Sequence, residues 1–147
     1  MKSHSSPSVK RRRARPLLTD RRGAVIVETA IALPILLLFL MGILSFGTWF
    51  MSAHTVQEAA NEGARAALSG IDENDRDALA REGVLSAIEI GQTIDSNEVT
   101  TATARDGEYY TVTVTYAPAN PMWRSFGIGP APSATIARAA TVRLTEL

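Results

Sequence analysis

Cysteine is absent from the 147 residues, which excludes disulfides and thiolate metal sites and leaves the redox compartment unmarked. Histidine is scarce: only His4 and His54 occur, so imidazole chemistry has one place in a basic N-terminal stretch and one at the far end of an apolar run. No glycine-rich phosphate loop, nucleophile elbow or His-Glu-x-x-His stretch is present, and a Ser–His–Asp set would have to use His54. An enzyme is therefore disfavoured; no cofactor, metal or small-molecule substrate is implied. The length suits one small domain plus a terminal segment better than a two-domain enzyme.

Net charge is also missing, with 15 Lys and Arg against 15 Asp and Glu, but the balance conceals an asymmetry. Residues 1–23 hold eight basic residues and Asp20 alone, a net +7, and the rest holds seven basic against fourteen acidic residues, a net −7. Such a head could bind nucleic acid or form the cytoplasmic flank of a membrane segment.

The residues after the basic head favour the membrane. From Thr29 to Ala53 no residue is charged, and as a helix those positions span roughly 37 Å, against a hydrocarbon core of about 30 Å. The reading is a basic cytoplasmic leader over 1–23, one transmembrane helix over 24–53 and an extracytoplasmic region over 54–147, because positive charge stays inside. Trp49 and Phe50 then fall near the outer interface. The run is too long for an ordinary secretory signal, and the arginines are too scattered for a twin-arginine leader. Pro34 should bend the helix, and Gly42 and Gly47, five apart, read as ordinary membrane-helix glycines.

Glu28 is the anomaly at the start of the apolar run. A carboxylate inside a membrane segment is expensive, on the order of 2.5–3.5 kcal/mol at the centre and less near the edge. A place in the first helical turn would offset about 0.3–1 kcal/mol of that through the macrodipole. The stretch Gly23-Ala24-Val25-Ile26-Val27-Glu28 resembles the processing site of type IV prepilins and pseudopilins. That resemblance implies a prepilin peptidase that cuts between Gly23 and Ala24, leaving Glu28 as the fifth residue of the mature chain. Thr29 departs from the aromatic residue that related pilins often place after the glutamate.

Beyond the apolar run, Ala53, Val56, Ala60, Ala64, Ala67 and Leu68 keep a helical stripe, so the helix should continue over 54–69. The run from Gly23 to Gly47 followed by AANEGAR at 59–65 is similar to the TadE family, pilin-like proteins of the tight-adherence (Flp) pilus machinery. The resemblance covers about a third of the chain. It implies other pilin-like proteins and the inner-membrane pilus assembly machinery as partners.

Gly70 is placed to end the first helix in a left-handed cap. A second amphipathic helix is expected over 72–90, through Ala80, Val84, Ala87 and Ile88; the acidic cluster Asp72, Glu73, Asp75 and Asp77 reads as its solvated start, since it lacks the spacing of a calcium loop. Over 97–147 the period falls to two. Asp106-Gly107 marks a hairpin, and a third strand near the C-terminus offers Ile136, Ala140, Val142 and Leu144 to one face. The fold class expected is α+β: a long N-terminal transmembrane helix continuing into an amphipathic helix, a second short helix and a small three-stranded antiparallel sheet. Trp123 and Phe126, in a proline-rich loop, either cover the end of the sheet or contact a pilus partner.

The functional expectation is a membrane-anchored pseudopilin or minor pilin in the inner membrane, N-terminus cytoplasmic and C-terminal region periplasmic, that helps assemble a tight-adherence pilus for attachment or secretion. Both entry into the fibre and retention in the membrane are compatible with it. The alternative is an uncleaved, single-pass anchored protein whose outer domain binds an envelope component, its basic head attracted to anionic lipid.

Overall fold

The computed structural model describes residues 21–92, 94–121 and 132–144. Helix α1 runs Arg21–Ala67, as its content of Ala, Leu, Ile and Met favours. It passes through Pro34, whose missing N–H removes one bond from the ladder. The chain divides into two units. The first ends at Leu36 and, as far as it is described, consists of α1, with every residue from Gly23 exposed. The second, from Leu37 onward, carries the rest of α1 and all other elements.

Gly70 does not form the expected left-handed cap. Gly107 is the glycine found with positive φ among the described residues. Helix α1 ends instead in a tightened turn, in which the N–H groups of Leu68, Ser69 and Gly70 donate to the carbonyls of Arg65, Ala66 and Ala67. What Gly70 supplies is room: a Cβ there would stand 2.5 Å from Arg76 Cγ and 2.8 Å from its backbone nitrogen. Leu68, expected on the buried stripe, is half exposed, because the tightened turn takes it off the helical period.

Helix α2 runs Glu73–Gly91 with Asp72 as N-cap. Asp72 Oδ1 accepts from the N–H of Asp75, and Asp75 Oδ2 accepts from the N–H of Ile71, a reciprocal arrangement close to a capping box. Gln92, in the left-handed region, closes the other end by donating its N–H to the carbonyl of Ile88.

Helices α1 and α2 pack antiparallel at backbone distance. A Cβ on Gly63 would meet Val84 Cγ2 at 2.6 Å and the Ala80 carbonyl oxygen at 2.9 Å. One on Gly83 would meet Ala66 Cβ at 2.9 Å, and one on Gly91 would reach Thr55 Cγ2 at 3.3 Å. Ala59, Ala60, Ala64 and Ala67 are fully buried in this contact region. Small side chains bury little area each, so close approach, with its many dispersion contacts, is what makes such an interface cohesive.

A 3-10 turn at Ser96–Glu98 leads into the sheet. Strands β1 (Val99–Asp106), β2 (Tyr109–Tyr116) and β3 (Ile136–Arg143) lie antiparallel in that order. Gly107 turns the hairpin at φ 58, a conformation a side chain would resist. The alternation is clean on β2, where Tyr110, Val112, Val114 and Tyr116 are buried. Register sets Val112 between Thr103 and Ala140, and Tyr116 between Val99 and Ile136. The core is therefore one layer of α1 and α2 against one sheet face, an α+β arrangement. Gln57 Nε2 also donates to the Ala139 carbonyl of β3 at 3.4 Å.

Candidate functional site

The segment singled out by its sequence lies wholly within α1. Gly23, Ala24 and Glu28 are all exposed, and nothing stands within 4 Å of a Cβ placed on Gly23. Helical spacing puts Glu28 on the face of Ala24, one turn further along. Its apolar neighbours Val25, Ile26, Val27 and Ile31 are between 58% and 69% exposed, so the carboxylate interrupts an otherwise bare apolar surface.

The macrodipole does not account for Glu28 in the intact chain. No acidic residue occupies the first turn of α1, which already is helical at Arg21; Glu28 sits about two turns in, and the macrodipole's help falls off within the first turn. In the intact chain that stabilisation is therefore not available to it. Removal of everything before Ala24 would bring Glu28 to one turn from the helix start.

The AANEGAR stretch divides by face. Ala59, Ala60, Gly63 and Ala64 are buried against α2 and the sheet, whereas Asn61, Glu62 and Arg65 are exposed. Glu62 and Arg65 pair at 3.6 Å, as their spacing allows. The small residues of the motif thus serve close helix packing, with Gly63 the tightest point.

Several working residues have no local signature. Asp77, at the sequence level one more acid in the first turns of α2, accepts a short hydrogen bond from the Tyr110 hydroxyl of β2. Burial, and then this bond, push the Tyr110 pKa up to about 12. The Tyr116 pKa is raised by burial and by Glu98 and Asp95. Trp49 packs against the core of the second unit, and among the described residues its buried indole N–H has no hydrogen-bond partner. Ser45 and Ser52 are buried on the same side of α1, so the outer part of the apolar run has one covered face. Ser52 and Thr55 return their hydroxyls to the carbonyls of Thr48 and Met51, which satisfies them without a partner element.

Trp123 and Phe126 lie outside the described residues, as does the leader up to Asp20. Among the described residues no three His, Asp or Glu side chains gather as a metal site would require. His54 pairs with Glu58 at 3.2 Å on an exposed face, an ordinary i,i+4 contact.

By length and composition α1 is a candidate membrane span from Gly23 onward, with a mean hydropathy of 2.5 in its most apolar window. Compared with known proteins, residues 23–65 match the family model of TadE-like proteins. That stretch takes in Gly23, Ala24, Glu28 and all of AANEGAR, and is under a third of the chain. No curated protein and no solved structure matches.

Proposed function

We propose, proceeding from the TadE-like segment at residues 23–65, that this protein is a pilin-like component of a tight-adherence pilus system, cut by a prepilin peptidase between Gly23 and Ala24. It acts through contacts with other pilin-like proteins and with the assembly machinery of the inner membrane, not through catalysis. The observation that carries the reading is Glu28, a lone carboxylate two turns into an exposed apolar helix.

The physics couples cutting to assembly. Before cleavage Glu28 has no cation at its own depth, and a charge there is costly. Cleavage creates an ammonium group on Ala24, which can meet Glu28 within the chain, one helical turn away on the same face, or from a neighbouring subunit shifted along the axis by about 6–7 Å. It also removes a head of net charge +7, which would repel its copies at the base of a helical bundle. The positive-inside rule sets the uncut N-terminus in the cytoplasm and the sheet outside.

The test is the intact mass and N-terminal sequence of the protein from native membranes, where a chain beginning at Ala24 is expected. An uncut head would overturn the processing step and leave a plain single-pass anchor that binds an envelope component. Glu28→Ala should insert and be cut normally yet leave cells with few pili; a normal pilus number would remove Glu28 from the assembly step.

A further inference from the structure

Helix α2 presents an exposed face of Arg81, Glu82, Ser86 and Glu89, the composition of a solvated surface. Two large apolar residues break it: Leu85, 44% exposed, and Ile90, 80% exposed. Ile90 stands in the last turn, and its place along α1 is fixed by its neighbour, because Gly91 packs on Thr55. One turn below Thr55 on the same face of α1 is Met51, 61% exposed, with Phe50 beside it at 66%. The end of α2 therefore comes down to the level at which the bare apolar surface of α1 begins.

That level is where the polar headgroup layer should start. His54 and the Glu58 carboxylate stand 3.2 Å apart on an exposed face just above it, and no charged residue occurs from Thr29 to Ala53. At 1.5 Å per residue, Ile90 lies roughly 6–7 Å above Met51. The polar layer on each side of a bilayer is about 5–7.5 Å deep, the difference between a total of roughly 40–45 Å and a core of about 30 Å, halved.

We propose that the C-terminal end of α2 is a second lipid contact, with Ile90 seated in the headgroup layer of the leaflet on the side of the sheet. This rests on the reading that α1 crosses a bilayer, and it goes beyond that reading by giving the outer region its own hold on the membrane. The contact is apolar. Exposed Glu89 and Asp95 flank it, so anionic headgroups are not its target and salt should leave it unchanged. The opposite end of the helix pair supplies the comparison. Ile71 is 90% exposed in the α1–α2 turn, but the antiparallel packing holds it roughly 20 Å further from the span.

The absence of cysteine makes single-site labelling clean. The full-length protein, as Leu36→Cys, Ile90→Cys or Ile71→Cys, would carry a small environment-sensitive fluorophore and be reconstituted in phosphatidylcholine vesicles containing lipids with a nitroxide near the headgroup or deep in the chain. All three positions are exposed, so the labels should not disturb folding. The expected result is strong quenching of the Leu36 label by deep nitroxides and of the Ile90 label by shallow ones. The Ile90 label should be quenched at least threefold more than the Ile71 label, equally in low and high salt and at every protein-to-lipid ratio. Quenching at position 36 with position 90 no different from position 71 would overturn this contact and leave the span intact. Shielding of position 90 that arises only when protein is crowded would overturn it in favour of a second copy. No quenching at any of the three positions would remove the span itself, and the contact with it.

Discussion

Tyr110 illustrates how much one side chain can join. It is anchored in the central strand, passes through the core and donates its hydroxyl to Asp77 of α2. With its pKa raised from 10.0 to about 12, the folded protein holds this proton more tightly than the unfolded chain does. Stability contributed by the neutral phenol is thus fully present below pH 10 and is lost as the pH rises from about 10 to about 12. Tyr110→Phe should remove that part of the alkaline destabilisation, seen as a flatter pH dependence of the urea midpoint in detergent between pH 9.5 and about 12. At neutral pH the same change should cost about 1–2 kcal/mol, since it leaves the carboxylate of Asp77 without its donor. An unchanged alkaline slope would show that the phenol is not the titrating group.

At the scale of the elements, the α1–α2 pair is specified by what is small. Gly63→Ala would drive a methyl group to 2.9 Å from the Ala80 carbonyl oxygen and 2.6 Å from Val84 Cγ2. The valine can turn, but the backbone oxygen cannot, so the helices must part. A loss of about 1–3 kcal/mol is expected by urea titration, whereas Gly42→Ala, with nothing within 4 Å of the new carbon, should be near neutral in the same assay. Much of these elements was legible in the sequence. The two-residue period of YYTVTVTY and the Asp-Gly turn identify the hairpin, and the 3.6-residue period identifies both helices, because each of these signals is local. Gly70 and Leu68 depart from their sequence patterns because what decides them is tertiary: Arg76 crowds the first, and the tightened turn rotates the second outward. The close approach of Gly63 to Ala80 and Val84, and the reach of Asp77 to Tyr110, join residues far apart in the chain and left no periodic trace.

For the whole molecule, the notable point is that the apolar run of α1 serves two environments. Trp49 packs against the core of the second unit and Ser45 is buried, and Phe46, Phe50 and Met51 remain exposed. Hydropathy could not separate these faces, because both are satisfied by residues that avoid charge. The motif residues Gly23, Ala24 and Glu28 could be singled out from sequence because their signal is an order of residue types along the chain; the packing role of Trp49 has no such order. Trp49→Ala should therefore lower the stability of the outer region by about 1–2 kcal/mol, followed through near-ultraviolet circular dichroism in detergent, and Phe50→Ala by less than about 0.5 kcal/mol. Equal effects would mean that Trp49 contributes nothing beyond its neighbour.

The backbone-to-backbone seam between Gly63 and Gly83 also determines how a pull would travel. Interfaces cushioned by long side chains can slip by changing rotamers; one in which main chain nearly touches main chain has no such compliance. Load on α1 at the level of Gly63 therefore passes directly into α2, and from Asp77 through Tyr110 into the central strand. Within the second unit, a force on α1 therefore moves the sheet with it.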